Sequence, residues 1–201
     1  MPIDIIFSGI IFIFSVIIHE VSHGFMAYKL GDNTAKFAGR LTLNPIPHID
    51  LFGSIILPLF LVLSGSSMVV GWAKPVPFNP YNLKNQRWGE AMVAIAGPLS
   101  NIFLAVIFGI LIRVAVFPSL LSPFIYIVLV NLLLATFNLV PIPPLDGSKI
   151  LFSLFPNKLH EVREFLERNG LFVLIFFVFF LWQYVYPIVL VQFNLLTGMA
   201  I

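Results

Sequence analysis

The chain contains no cysteine and has few charged residues. Without a cysteine among its 201 residues it can form neither a disulfide framework nor a thiolate metal site, so any metal ligands must be His, Asp or Glu. Charged residues make up 10% of the sequence, whereas a soluble globular domain has about 25%. Because so few charges cannot cover a water-facing surface, the composition predicts an integral membrane protein.

The charge balance and the N-terminus exclude two further possibilities. A formal net charge of only +2 indicates no nucleic-acid partner. The N-terminus lacks the basic lead-in and the small-residue cleavage site of a signal peptide, so the first apolar run is expected to be retained. We find no internal repeat and no soluble domain, and we predict one membrane domain over residues 1–201.

The most informative stretch is His19-Glu20-Val21-Ser22-His23. Histidines four apart lie on one face of a helix, and H-E-x-x-H is the pattern in which both imidazoles bind zinc. Residues 5–18 carry no charge, which predicts that the motif lies inside the membrane. A helix from Ile3 places His19 about 24 Å along its axis, in the far third of a hydrocarbon core about 30 Å thick.

Hydrophobic length and the positions of proline and glycine divide the chain into segments. The predicted fold is an all-α polytopic membrane protein with about four full transmembrane helices, a re-entrant element and a small membrane-associated β hairpin. The mixed polar and apolar run from Phe37 to Leu43 suits a short strand or hairpin. The predicted segments are a helix over 3–30 with the motif, a β or re-entrant region over 34–85, helices over 90–117 and 124–146, a cytoplasmic helix over 148–169, and a helix over 170–186 with a C-terminal tail.

A catalytic zinc site needs a third protein ligand. Asp146 is favoured because three prolines within residues 141–144 break the helix just before it, and broken backbone at membrane depth lines protein or a wet cavity. Glu20 is expected to act as general base on water at the metal. The alternatives for the third ligand are His48, Asp50, Glu90 and His160.

Three motifs in order resemble those of the site-2 proteases, which are intramembrane zinc metalloproteases. The run H-E-x-x-H-G at 19–24 is similar to the family's first motif, and Ala96-Gly97-Pro98-Leu99-Ser100-Asn101 resembles its A-G-P-x-x-N segment. Asn138-Leu139-Val140-Pro141, with Leu145-Asp146-Gly147, resembles the N-x-x-P and L-D-G signature. The chain has no room for a PDZ or CBS domain, so it resembles the short branch of the family.

The resemblance implies an activity and a set of roles. It implies a metalloendopeptidase that uses Zn²⁺ and cleaves peptide bonds in or near transmembrane helices of substrate proteins within the lipid bilayer. By resemblance His19, His23 and Asp146 hold the zinc, and Asn138 orients the substrate backbone or steadies the oxyanion. It also implies a β element between the first two core helices, here residues 36–48 and 71–78, whose edge would clamp an unwound substrate.

The membrane topology follows from the requirement that both histidines and Asp146 reach one metal. This holds if residues 51–80 form a re-entrant hairpin and both termini are extracytoplasmic. All Lys and Arg residues except Arg113 then face the cytoplasm, as the positive-inside rule favours. We expect the site to lie towards the cytoplasmic side of a bacterial or archaeal plasma membrane.

Two other functions use the same ligands. A membrane metal transporter or sensor would hold a transiting or sensed ion. Transporters tend to show repeats and broken helices in both halves, but this chain shows neither a repeat nor a second ligand cluster along a path. An inactive scaffold is disfavoured because Glu20 is intact. Asn101 is expected to pack helices, and His48 is expected to be structural.

Overall fold

A computed structural model of the chain describes residues 2–65, 71–85, 88–114, 118–155 and 159–199. Arg87 and Lys158, which enter the charge argument above, lie outside the described residues, as does the end of the predicted helix 90–117.

Within these described ranges, four helical stretches are long and apolar enough to cross a membrane, as the sequence predicts. They are Phe7–Lys29, Gly89–Arg113, Leu121–Asn138 and His160–Thr197. Large apolar side chains such as Phe103, Phe172 and Phe179 are exposed on these helices, which suits surfaces that face lipid. The all-α polytopic class is therefore confirmed. The helices are α1 (Pro2–Lys29), α2 (Thr34–Phe37), α3 (Leu57–Leu63), α4 (Gly89–Arg113), α5 (Leu121–Asn138), α6 (Asp146–Leu154), α7 (His160–Phe176) and α8 (Trp182–Thr197).

Helix α4 is the centre of the bundle, since it packs against α1, α5, α6 and α8. Its distal half, together with α5 and α8, forms the largest apolar cluster, in which Ala105, Val128 and Phe193 have no exposed surface. Small residues on α4 allow this close packing, as is usual between membrane helices. The other half of α4 faces the motif on α1.

The apolar run after residue 50 turns back on itself. A π-helical turn (Leu51–Ile56) leads into the short helix α3, and the returning chain pairs with the start of that turn. The backbone N–H of Trp72 donates to the Gly53 carbonyl at 3.1 Å, and the Ser54 hydroxyl donates to the Trp72 carbonyl at 2.8 Å. Residues 53 and 72 therefore lie side by side.

The predicted β hairpin is wrong. Residues 34–37 form helix α2, Ile46–His48 form a 3₁₀ turn, and the extended segment 71–79 has no partner strand within the described ranges. Four prolines, at positions 45, 47, 75 and 77, remove backbone N–H groups that a ladder would need. The N–H of Lys74 instead bonds the His48 carbonyl at 2.9 Å.

The second half of the chain differs from the predicted bounds. Helix α5 ends at Asn138 and α6 begins at Asp146, with the proline-rich turn between them. Two helices, α6 and α7, occupy the range where one surface helix is predicted, and a π-helical turn (Phe177–Leu181) joins α7 to α8. Gly147 allows this compact course because a β-carbon there would overlap the Leu139 and Val140 carbonyls.

Candidate metal centre

Three buried side chains from two helices converge between α1 and α6. Nε2 of His19 and Nε2 of His23 are 3.0 Å apart. Oδ2 of Asp146 lies 3.2 Å from the first and 3.1 Å from the second. The residues are 5%, 9% and 7% exposed, and they are the only such group of metal-binding type among the residues that the structure describes.

These distances fit a tetrahedral zinc site. With zinc–ligand bonds of about 2.0–2.1 Å, neighbouring ligand atoms at the corners of a tetrahedron are about 3.3 Å apart. The observed separations of 3.0–3.2 Å are close to that value. Three protein ligands leave a fourth position open, as a catalytic zinc site requires.

The second nitrogen of each histidine is held by a neighbour on α4. Nδ1 of His23 bonds the Val93 carbonyl at 2.7 Å, and Nδ1 of His19 bonds Oδ1 of Asn101 at 2.6 Å. Both partners accept, so each Nδ1 carries the proton and each Nε2 presents a lone pair. Two lone pairs and a carboxylate facing one another repel unless a cation lies between them, which is the chemistry of a metal site.

Gly97 of α4 makes room for the two rings. A β-carbon at this position would lie 2.5 Å from Cε1 of His23 and 2.7 Å from Cε1 of His19. The glycine in the A-G-P-x-x-N run is therefore required for α4 to approach α1 at the site.

Asp146 is placed by the turn that precedes α6. The N–H of Leu145 bonds the Ile142 carbonyl at 2.9 Å, and the Ser148 hydroxyl bonds the Leu145 carbonyl at 2.7 Å. The other carboxylate oxygen of Asp146, Oδ1, lies 3.8 Å from Nζ of Lys149. The carboxylate thus keeps Oδ2 directed at the histidines.

Glu20 meets the extended segment 71–79. Its Oε2 accepts a 2.8 Å hydrogen bond from the backbone N–H of Val76. Arg40, which is buried, donates to the carbonyls of Pro47, Lys74 (2.6 Å) and Pro75 (3.1 Å). The segment beside the glutamate is therefore fixed by a buried guanidinium.

The far end of the same segment is held by Asp32, which follows α1. Oδ2 of Asp32 accepts from the Asn79 N–H at 2.7 Å, and Oδ1 accepts from the Asn82 amide at 2.9 Å and from Thr34. Burial on its own raises the pKa of Asp32, but the hydrogen bonds from Thr34, Asn82 and Asn79 outweigh it and the pKa is lowered from 3.8.

The remaining candidate residues lie elsewhere. Nε2 of the buried His48 bonds the Thr42 carbonyl at 2.9 Å, and Asp50 accepts from the Gly53 N–H at 2.7 Å. Glu90 lies in the first turn of α4, and His160 pairs with Glu164 on an exposed face. The Asn138 side chain donates to the Leu134 carbonyl of its own helix at 2.9 Å.

The sequence reasoning missed Asn131 and undervalued Asn101. Both have no exposed surface, and Nδ2 of Asn101 donates to Oδ1 of Asn131 at 2.7 Å. A lone asparagine within an apolar helix was an available signal, because polar groups in a membrane helix bond to one another or mark a site.

Comparison with known proteins agrees with this geometry. The model of the family described as Peptidase family M50 matches residues 7–118 and 113–181. No solved structure gives a significant match.

Three relatives illustrate the range of similarity. YwhC of Bacillus subtilis (strain 168), provisionally named a zinc metalloprotease, is 41% identical over 184 residues, which cover 86% of this chain and 80% of the relative. MJ0611 of Methanocaldococcus jannaschii, also provisionally named a zinc metalloprotease, is 35% identical over 149 residues, or 72% of each chain. Zinc metalloprotease MJ0392 of the same organism is 27% identical over 161 residues, 76% of this chain and 36% of the relative.

Proposed function

Because this chain belongs to peptidase family M50 and is a zinc metalloendopeptidase with membrane-spanning helices, we propose that it hydrolyses peptide bonds in or near transmembrane segments of other membrane proteins. The observation that carries the proposal is the convergence of His19, His23 and Asp146, buried among helices that are apolar enough to span. A zinc site at that depth serves a substrate that is itself in the membrane.

We assign the zinc ligands to Nε2 of His19, Nε2 of His23 and Oδ2 of Asp146. Bound zinc supplies a Lewis acid that polarises the scissile carbonyl and makes water more acidic. Glu20 takes the proton from the attacking water and passes it to the leaving amine. We assign the proton to Oε1, because the N–H of Val76 already occupies one of the two lone pairs of Oε2 and makes that oxygen the weaker base.

Asn138 is assigned to the substrate backbone or the oxyanion. It ends α5, only eight residues before Asp146 in sequence, and its side-chain amide bonds one carbonyl at 2.9 Å. An amide has two N–H donors, so one donor is available for a substrate carbonyl.

The substrate reaches the site from the lipid as a helix and is unwound there. A peptide bond within a helix is shielded and already hydrogen-bonded, so hydrolysis requires local unwinding. Water reaches the site from the cytoplasmic side, which is the nearer surface.

We place the site towards the cytoplasmic face of a bacterial or archaeal plasma membrane. The support is that the chain at residue 72 lies beside residue 53 again. Trp72 bonds Gly53, and the N–H of Lys84 bonds the carbonyl of Leu30 at the end of α1 at 2.9 Å. The chain therefore returns to the level at which α1 ended, and α4, α5 and α7–α8 then cross in alternation.

The experiment uses the full chain in lipid nanodiscs with a co-reconstituted single-span substrate. Glu20→Gln should lower the cleavage rate about 10²–10⁴-fold while zinc content stays at the wild-type level. His23→Ala should lose both zinc and cleavage. His160→Ala is the matched control, because His160 lies on an exposed face of α7, and it should change neither quantity.

Two outcomes would contradict the proposal. One is full cleavage by Glu20→Gln. The other is wild-type protein that cuts no membrane substrate but moves zinc across sealed vesicles, which would favour the transporter alternative.

A further inference from the structure

A chain of buried polar groups leads from His19 into the middle of the bundle. It passes from His19 to Asn101 on α4, then to Asn131 on α5, and returns to Ser15 on α1. Asn101 and Asn131 have no exposed surface, and Ser15 is 4% exposed. Three membrane helices are thus linked by side-chain hydrogen bonds that end on a zinc-site histidine.

The far end of this hydrogen-bonded series determines which of its groups donate and which accept. Nδ2 of Asn131 donates to the Ile127 carbonyl at 2.8 Å and to the Ser15 hydroxyl at 3.0 Å. A backbone carbonyl can only accept a hydrogen bond. The amide nitrogen of Asn131 must therefore face Ile127, and Oδ1 must face Asn101.

The orientation of the Asn131 amide in turn determines the donor and acceptor roles at Asn101 and His19. Oδ1 of Asn131 can only accept, so the group of Asn101 that meets it at 2.7 Å is the amide nitrogen. The same nitrogen faces the Ser15 carbonyl at 3.3 Å, which is a second acceptor. Oδ1 of Asn101 is left facing His19 at 2.6 Å, and it accepts the Nδ1 proton.

We propose that Asn131 is a positioning residue for zinc binding, acting through Asn101 to keep the proton of His19 on Nδ1 and the lone pair on Nε2. The inference rests on the proposed zinc site. Without Asn131 the Asn101 amide loses the 2.7 Å acceptor that orients it. A flipped Asn101 amide would donate to Nδ1 and leave the histidine proton on Nε2, where it blocks the metal.

The complete burial of Asn101 and Asn131 makes the orientation of the Asn101 amide important. Water cannot readily rescue a misoriented amide at positions with no exposed surface, and an unsatisfied buried group is costly in a medium of low dielectric. Loss of a group that orients a metal-binding histidine typically lowers metal affinity 10- to 100-fold. We expect the loss of Asn131 to lower zinc affinity by a factor in that range, although Asn131 touches none of the three proposed zinc ligands.

The first test measures transfer of zinc from the full chain in nanodiscs to a fluorescent chelator. Asn131→Leu should release zinc about tenfold faster than wild type or more. Thr197→Val is the matched control, because Thr197 is also a buried polar residue in a membrane helix. Its hydroxyl donates to the Phe193 carbonyl of its own helix at 2.8 Å. It should release zinc at the wild-type rate.

A second substitution separates positioning from general damage to packing. A carboxylate at position 101 has only acceptor oxygens, so it accepts the Nδ1 proton whichever way it turns. Asn101→Asp combined with Asn131→Leu should therefore restore zinc release to near the wild-type rate. Unchanged release in Asn131→Leu, or no restoration in the folded double variant, would overturn the proposal.

A measurement on the unmodified chain covers the case in which Asn131→Leu does not fold. Nitrogen-15 NMR of histidine-labelled, zinc-loaded protein should show His19 with its proton on Nδ1 and no proton on Nε2. A proton on Nε2 would overturn the proposal directly. Wild-type protein that binds zinc with this form of His19 but cuts no membrane substrate would contradict the proposed function and not the present inference.

Discussion

The backbone N–H of Val76 donates a 2.8 Å hydrogen bond to Oε2 of Glu20, across 56 residues of sequence. The general base proposed on α1 is therefore oriented by the extended segment 71–79. That segment is held by Arg40 at one end and by Asp32 at the other. Two buried charged residues outside the motif thus determine where the glutamate can point.

Removing the guanidinium should release this segment. Arg40→Leu leaves the carbonyls of Lys74 and Pro75 without their charged donor, at a cost of about 1–3 kcal/mol. We expect cleavage to fall about 10- to 100-fold, because small misplacements of a catalytic group have effects of that size. Zinc content should not change, and hydrogen exchange at the Lys74 and Val76 amides should accelerate.

The control is Lys36→Ala, since Lys36 bonds the Tyr28 hydroxyl on the exposed surface. Equal exchange rates in Arg40→Leu and wild type would refute this prediction.

Filling the space at Gly97 should disrupt the metal site sterically. Alanine is favoured over glycine in a helix by about 0.8–1.0 kcal/mol, but its β-carbon at 97 would overlap the rings of His19 and His23. Gly97→Ala should therefore bind zinc about 10- to 100-fold more weakly, measured by chelator competition. At Gly9 of α1 a β-carbon meets nothing within 4 Å, so Gly9→Ala should bind zinc normally. Wild-type affinity in Gly97→Ala would show that α4 can move aside at no cost.

Asp32 should make stability depend on pH in the acid range. Its pKa is lowered in the folded chain from 3.8, so the stabilisation is fully present above that value. It is lost as the pH falls through the folded pKa. Asp32→Asn should be less stable than wild type at pH 7, and the difference should shrink as the pH falls below about 4.

Thermal unfolding in detergent, followed from pH 7 to pH 3, measures this difference. Glu167→Gln is the control, because Glu167 forms an exposed i to i+4 pair with Arg163, which is worth little. A stability difference for Asp32→Asn that is constant with pH would contradict the assignment.

The proposed membrane topology, in which the chain re-enters between Asp50 and Trp72, can be tested by labelling. The chain has no cysteine, so each single-cysteine variant reports one position. Lys84→Cys should react with an impermeant maleimide only from the cytoplasmic side, and Ser119→Cys, in the turn between α4 and α5, only from the opposite side. Labelling of both positions from the same side would exclude the proposed topology.

Hydropathy and motif spacing predicted much of the fold, and they singled out three side chains that converge in it. Four apolar runs became four helices that can span, because helix length and apolar composition are local properties of the chain. The H-E-x-x-H spacing brought His19 and His23 together for the same reason. Asp146 joined them as expected, 123 residues after His23.

The predicted hairpin failed because strand pairing depends on which backbone groups remain available. Prolines at 45, 47, 75 and 77 remove donors, and Arg40 takes carbonyls that a second strand would have bonded. The mixed polar and apolar pattern of residues 37–43 does not reveal either effect.

The sequence by itself determined the class of protein, the number of candidate spans and the set of side chains proposed to bind the metal. Only the tertiary structure decided that Val76 orients Glu20, that Gly97 admits the two rings and that Asn101 and Asn131 support His19. The physical reason is the range of the interactions. Hydropathy and helical periodicity act over a few residues, whereas the bonds from His23 to Val93 and from Asn131 to Ser15 join positions 70 and 116 residues apart, and only the packing of α1, α4 and α5 brings those positions together.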